Sequence, residues 1–247
     1  MGAALLAGRA GDERRGRAQV LARDGATLPG RDRLPAAGAG PYEYYFDNSF
    51  FVGDDAVTLY CTLRHFRPRR IVEVGSGFST RLAARAAGLN EGAVLVCVEP
   101  HPDEILKTYP GVSRLVQSLV QQVELELFEG LETNDNLFID STHVARTGSD
   151  VPFLFLQALP RLQKGVLVHD IFLTRDYPQA WIKDFLIFSN KHYLFQAFLS
   201  FNSRFAVLFS SAYLTIRQRA EMERAFSAYL RWEEGCSFWI RRKTASS

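Results

Sequence analysis

Glu73, Glu99, Asp140, His143, His169 and Asp170 are the residues whose types and spacing could do chemistry. Glu73 sits inside the apolar run Ile71-Val72-Glu73-Val74, while Glu99, Asp140 and Asp170 each close one: Ala93 to Val98, Leu137 to Ile139 and Gly165 to Val168. Short β-branched runs that end in an acid read as buried parallel strands, and open α/β sheets bind ligands outside the carboxyl ends of their strands. Neighbouring strands lie about 4.8 Å apart, so Asp140 and Asp170 could converge on one divalent ion, Mg or Mn. Such an ion would chelate a substrate hydroxyl and lower its pKa. His143 follows Asp140 by three residues and His169 precedes Asp170 directly. An imidazole titrates near neutrality when unperturbed, so either histidine is a candidate general base.

Those residues need a sheet and a cradle to position them. The cradle is Gly75-Ser76-Gly77, which follows the first strand and precedes Arg81-Leu82-Ala83-Ala84-Arg85-Ala86-Ala87, a strongly helix-forming run. Strand, glycine turn and helix N-terminus together form a place to receive a polar cofactor. Glycine lets the backbone turn sharply and lie close to the ligand, and Ser79 or Thr80 is expected to cap the helix. The dinucleotide fingerprint G-x-G-x-x-G would require glycine where Thr80 stands, which disfavours a nicotinamide oxidoreductase. An acid ending the second strand roughly 20 residues beyond the glycines can accept hydrogen bonds from ribose hydroxyls, and Glu99 fills that place.

Glu73-Val74-Gly75-Ser76-Gly77 resembles the E/D-x-G-x-G turn of the class I S-adenosylmethionine-dependent methyltransferases. The fuller stretch Gly75-Ser76-Gly77-Phe78-Ser79-Thr80 is similar to one family of small bacterial-type methyltransferase domains. Asp140-Ser141-Thr142-His143 with Thr147-Gly148-Ser149-Asp150 resembles that family's D-S-x-H and T-G-S-D segments. His169-Asp170-Ile171-Phe172 and Asp176-Tyr177-Pro178 resemble its H-D-I-F and D-Y-P segments. The strand-end acids are similar, more distantly, to those holding the divalent ion in catechol-type and sugar O-methyltransferases. There the second strand end usually reads Asp-Asn or Glu-Asp, where this chain has His169-Asp170.

The resemblance implies a Rossmann-like, doubly wound, seven-stranded α/β sheet, mostly parallel, with one antiparallel strand near the end. It implies S-adenosylmethionine held by Glu73, Gly75, Ser76, Gly77, Ser79, Glu99 and Asp140. It also implies O-methylation of a hydroxylated small molecule or sugar, with that acceptor as the chain's partner. A non-catalytic cofactor-binding or assembly module on the same fold is the alternative.

Composition bounds the rest. The 247 residues are 47% hydrophobic and 13% aromatic, enough for one sizeable core. Residues 1–40 carry seven Arg against four Asp or Glu, leaving 22 basic and 23 acidic groups in the remainder. The folded part therefore lacks the charge for nucleic acid. No apolar run reaches the roughly 18 residues of a membrane span, and the first residues match neither a signal peptide nor a myristoylation site, so a cytoplasmic protein is expected. Cys61, Cys97 and Cys236 are widely spaced and read as reduced thiols. A homo-oligomer remains open.

Residues 1–40, rich in Gly, Ala and Arg, read as a disordered tail before a domain spanning 41–247. The aromatic stretch Tyr42 to Phe51 is expected to pack as an edge or lid over the cofactor cleft or as plain hydrophobic packing. Asp54-Asp55 should open a helix, 112–123 is strand-like, 153–159 reads as a short helix, and Thr215 to Gln218 reads as a capping box opening another helix through Leu230.

Overall fold

Alternate residues of the first strand face opposite sides of the sheet, and both sides are buried. In a computed structural model, which describes residues 34–243 except 39, 91, 133, 163, 164, 174, 221 and 223–234, Ile71 packs with one hydrophobic cluster while Val72 and Val74 pack with a second. The elements are α1 (Gly53–Phe66), β1 (Arg70–Val74), α2 (Phe78–Gly88), β2 (Val94–Val98), α3 (Glu104–Lys107), β3 (Arg114–Val116), a 3-10 turn (Val120–Gln122), α4 (Glu126–Glu129) and β4 (Asn136–Ile139). They continue as α5 (Asp150–Phe153), a π-helical turn (Leu154–Ala158), α6 (Leu159–Arg161), β5 (Gly165–Val168), α7 (Gln179–Lys183), α8 (Lys191–Ser200), β6 (Phe205–Ser210), α9 (Ser211–Arg217) and β7 (Phe238–Arg242).

The strands form one mixed sheet in the order β3-β2-β1-β4-β5-β7-β6. The first five are parallel, and β7 runs antiparallel to both β5 and β6. Chain order reverses between β1 and β4, which puts the ends of these two strands at the switch point where such sheets take ligands. Helices α1 and α2 cover one face, and the segment from α5 to α8 covers the other. Coverage on both faces is why the strands read as nearly unbroken apolar runs.

Three local readings are revised. The strand-like stretch 112–123 is a three-residue strand followed by the 3-10 turn. The helix read at 153–159 spans Asp150–Arg161 as a continuous helical run with the π turn in its middle. Pro160 has no N–H to give the preceding turn, and a widened turn accommodates that loss. The capping box assigned to Thr215 does not open a helix. One helix, Ser211–Arg217, already begins where Ser210 at the end of β6 accepts from the Tyr213 N–H at 3.4 Å, and helical residues resume at 219, 220 and 222. Thr215 thus lies within that helix, buried. Residues 1–33 and 39 of the expected tail, and the stretch 223–234, lie outside the described residues.

Candidate active site

Gly75 turns the chain out of β1 with φ +82°, a left-handed conformation that glycine adopts without penalty. The pressure on it comes from the protein itself: a Cβ there would lie 1.8 Å from the Asp140 carbonyl oxygen. The Asp140 N–H donates to the Val74 carbonyl at 2.9 Å, so the ends of β1 and β4 are in direct contact under the turn. Gly77 differs, since no atom stands within 4 Å of a Cβ there and the residue is exposed.

Glu73 and Ser79 do not face the cleft. Glu73 lies on the α1/α2 side of the sheet, fully buried, and accepts from Ser79 Oγ at 2.7 Å and Thr80 Oγ1 at 2.6 Å. Thr80 Oγ1 in turn accepts from the Gly77 N–H at 2.9 Å. Acid, two hydroxyls and the turn backbone form one brace that fixes the start of α2. The expected cofactor roles of Glu73 and Ser79 become positioning roles, and the expected cap by Ser79 or Thr80 becomes this reach-back bond. The physical reason is strand alternation: Glu73 shares its face with buried Cys97 and Phe138.

Burial raises the Glu73 carboxyl from 4.5 to about 7, against the hydrogen bonds from Thr80, Ser79 and Cys97, which favour the charged form. A carboxyl raised in the folded state holds a proton that the unfolded chain gives up. Stability therefore falls as pH rises between 4.5 and about 7, by on the order of 3 kcal/mol. Glu73→Gln is expected to flatten that part of the melting-temperature profile, and an unaltered slope would assign it to other groups.

Glu99 is half-buried at the mouth of the turn. Its Oε2 accepts from the Ser76 N–H at 3.2 Å and its Oε1 from the His101 N–H at 2.9 Å. A carboxylate has about four acceptor positions, so lone pairs remain for a diol. Beside the turn, Phe50 stacks on Phe78 at 5.4 Å, Tyr45 meets that ring edge-on at 5.4 Å, and the Arg81 guanidinium lies 4.1 Å from its centre. The aromatic stretch thus packs over the first turn of α2, while Tyr44 and Phe51 go into the core.

The carboxyl ends of β4 and β5 meet at Asp140, His143, His169 and Asp170. Among these, His143 and Asp170 have φ of 64° and 55°, left-handed values that non-glycine residues seldom hold outside functional sites. His143 Nε2 lies 3.6 Å from Asp140 Oδ1 and its Nδ1 lies 3.4 Å from Asp170 Oδ2. His169 is held on both nitrogens, Nδ1 by Asp140 Oδ1 at 3.2 Å and Nε2 by Asp55 Oδ2 at 3.1 Å. Asp150 ties the loop down by accepting from the Thr142 N–H at 2.8 Å and its hydroxyl at 2.6 Å. The D-S-T-H and T-G-S-D segments are therefore two halves of one braced loop.

Three residues join this corner that the sequence did not single out for it. Lys191 is fully buried, with Nζ 2.5 Å from His143 Nδ1, and its N–H donates to the His143 carbonyl at 3.1 Å. Asp55, which reads as a helix-opening acid, reaches across to His169. Cys236, which reads as a reduced core thiol, lies 2.9 Å from Asp170 Oδ1 through its Sγ. No local pattern marks a lone lysine or cysteine for such a role.

The two histidines have opposite electrostatics. Burial and the neighbouring Lys191 push His143 down to about 4, against the pull of Asp170 and Asp140, so it is neutral near pH 7. Burial also opposes charge on His169, but Cys236, Asp140, Asp170 and Asp55 outweigh it and raise the imidazole well above its ordinary range. Cys236 is itself pushed well up by burial and Asp55 and stays a thiol, so the carboxylates carry this effect. Burial works against ionised Asp140 too, yet His169 beside it holds that carboxyl well below the usual range. His169 is thus an imidazolium bridging two carboxylates, and of the two expected bases only His143 has a lone pair to offer.

Residues 72–171 match the sequence model of a methyltransferase domain family. An uncharacterised protein of Archaeoglobus fulgidus is 34% identical over 112 residues, 42% of this chain and 51% of the relative. The chain thus spans about half the length of the curated relative that it matches. Among solved structures, an O-methyltransferase from Bacillus cereus in complex with SAH aligns at TM-score 0.48 and 15% identity, covering 92% of this chain and 91% of that one. The O-methyltransferase TomG from Streptomyces achromogenes, in complex with SAM, aligns at TM-score 0.43 and 17% identity, covering 94% and 89%. The glycine turn and the strand order thus carry a stretch, residues 72–171, whose sequence matches a methyltransferase domain.

Proposed function

We propose that the chain transfers the methyl group of S-adenosylmethionine to a hydroxyl of a small molecule or sugar, with His143 as general base. The observation behind this reading is the double engagement of Asp140: its backbone lies under Gly75 in the cofactor turn, and its carboxylate borders the neutral His143. A methyl donor seated on the turn and a base beside it would then face the same small volume.

The residues fit the cofactor. Gly75, Ser76 and Gly77 supply a cradle that is open at Gly77, and Glu99 keeps acceptor capacity for ribose hydroxyls. When bound, S-adenosylmethionine supplies an electrophilic methyl group on its sulfonium. The protein's part is to align the acceptor oxygen with it and to take that oxygen's proton. The proton goes to His143 Nε2, which requires the imidazole's own hydrogen on Nδ1, facing Asp170 Oδ2 and Lys191 Nζ in its neutral amine form. Burial, the larger cause, then holds the imidazole down without a charge on Lys191. Burial lowers Lys191 from its ordinary range, against Asp170 and Asp140, in the direction this arrangement needs. The imidazolium formed on proton transfer is then stabilised by Asp140 and Asp170 on its two sides.

A divalent ion shared by Asp140 and Asp170 has no part in this reading. The two carboxylates do converge, but the His143 ring stands between them, its Nε2 toward Asp140 and its Nδ1 toward Asp170. Lys191 already occupies the Nδ1 side, and an ion there would have to displace a fully buried side chain.

The test is calorimetry with S-adenosylmethionine, S-adenosylhomocysteine and NAD in parallel, followed by label transfer to sugar and catechol acceptors. The two adenosyl ligands are expected to bind and NAD is not. Glu99→Ala is expected to weaken cofactor binding by about 1.5–3 kcal/mol, the scale of a lost charged hydrogen bond. Added Mg or Mn is expected to leave turnover unchanged. Tight cofactor binding without transfer to any acceptor class would favour a binding or assembly module, and NAD binding in place of both adenosyl ligands would sink the reading.

A further inference from the structure

Behind the proposed acceptor corner, away from His143, three side chains from distant parts of the chain converge without any role in methyl transfer. Asp55 comes from the first turn of α1, His169 from the end of β5 and Cys236 from just before β7. Asp55 and Cys236 are buried, and the His169 side chain is only 12% exposed.

Their donor atoms form a nearly equilateral triangle. Asp55 Oδ2 to His169 Nε2 is 3.1 Å, Asp55 Oδ2 to Cys236 Sγ is 3.4 Å, and Cys236 Sγ to His169 Nε2 is 3.5 Å. In a tetrahedral zinc site, with bonds of about 2.0–2.1 Å to O and N and about 2.3 Å to S, the ligand–ligand edges are about 3.3–3.6 Å. A point about 2.1 Å from all three atoms exists just outside their plane.

The ligands are also held from behind, as metal ligands usually are. Asp55 Oδ1 accepts the Ser237 N–H at 2.7 Å, and the Cys236 N–H is shared between Oδ1 at 3.0 Å and Oδ2 at 3.1 Å, which fixes the carboxylate with Oδ2 toward the triangle. The other nitrogen of His169 faces Asp140 Oδ1 at 3.2 Å, so a carboxylate orients the imidazole. Gly235 lets the Cys236 segment approach, because a Cβ there would lie 2.5 Å from Asp55 Oδ1. The thiol has one proton and two carboxylate oxygens in reach, Asp170 Oδ1 at 2.9 Å and Asp55 Oδ2 at 3.4 Å.

We propose that Asp55, His169 and Cys236 form a three-ligand site for Zn²⁺ or a like ion with a taste for sulfur and nitrogen, with the fourth tetrahedral position left to a water or other small ligand. Binding releases two protons, one from the His169 imidazolium and one from the Cys236 thiol. The ion's two positive charges replace those two protons, so the net charge of this buried cluster does not change. The gain is three metal–ligand bonds, to Asp55, His169 and Cys236, in place of an N–H, an S–H and the hydrogen bonds they make, in a corner that disfavours any change of charge. The site pins α1 and β7 to the end of β5 and fixes His169, and through it Asp140. Soft donors select against Mg and Mn, which distinguishes the site from an oxygen-only centre.

The test uses the full chain stripped with chelator and titrated with Co²⁺, whose thiolate-to-metal absorption and tetrahedral visible bands report sulfur coordination directly. One Co²⁺ per chain with both signals is expected, displaced by stoichiometric Zn²⁺, and calorimetry in two buffers should show about two protons released. Cys236→Ala and the closer-sized Cys236→Ser should lose the thiolate absorption, Cys61→Ala should keep it, and Asp140→Asn should keep it with affinity reduced about 10–100-fold. Zn²⁺ should raise the melting temperature of the wild type and not of either Cys236 variant. Absence of the thiolate signal at saturating Co²⁺, or its survival in both Cys236 variants, would overturn the proposal. An octahedral Co²⁺ spectrum without thiolate, abolished by Asp140→Asn, would overturn it in favour of an ion at Asp140 and Asp170. None of these readings depends on methyl transfer, so failure of the proposed activity and failure of this site are distinguishable.

Discussion

Replacing His143 by alanine is expected to cut methyl transfer by about 10²–10⁴-fold, the usual worth of a general base. Cofactor affinity should stay within about twofold, because the glycine turn and Glu99 make no contact that depends on the imidazole. The pH profile gives a second readout. A base works when unprotonated, and burial holds His143 below the ordinary imidazole range even with Lys191 as an amine, so its active form persists from neutrality to below that range. The acidic limb of kcat/KM should therefore lie well below the ordinary imidazole value of about 6.5. Full activity in His143→Ala, once an acceptor is found, would remove the base from the mechanism. An acidic limb near 6.5 would show that another group carries it.

Gly75→Ala is expected to be the most damaging single change in the turn. The residue holds φ +82°, and the new methyl carbon would meet the Asp140 carbonyl oxygen at 1.8 Å. Left-handed strain costs about 1–3 kcal/mol for a residue with a side chain. Backbone must also move, because a carbonyl in the β1–β4 contact cannot swing aside as a flexible side chain would. A loss of more than about 3 kcal/mol of stability, with cofactor binding abolished, is therefore expected in melts and calorimetry. Gly77→Ala is the contrast, since its Cβ would meet nothing within 4 Å of protein. It should cost roughly 1 kcal/mol or less in stability, so any larger loss of S-adenosylmethionine affinity reports crowding by the ligand itself. Equal stability losses in the two variants would show that the Asp140 contact is not what makes glycine necessary at position 75.

The amino-acid sequence by itself determined the alternation of strands and helices, the glycine turn and the acids at the strand ends. These are local matters: β-branched runs bounded by turns, a helix-forming stretch after two glycines, an acid where each run stops. It also brought Asp140 and Asp170 together correctly, because adjacent parallel strands end at the same edge of the sheet. The tertiary structure alone decided which way Glu73 and Ser79 point, since strand alternation and the packing of α2 turn them inward to brace each other. It alone separated the two histidines: His169 meets carboxylates on both nitrogens, one of them 114 residues away in the chain, whereas His143 meets a buried lysine 48 residues away. Asp55 and Cys236 lie 181 residues apart, and only the packing of α1 against the strand insertion of β7 makes them neighbours. Local pattern specifies elements because backbone geometry is local; protonation state and ligand sets depend on what burial puts within a few ångströms, and distance along the chain carries no record of that.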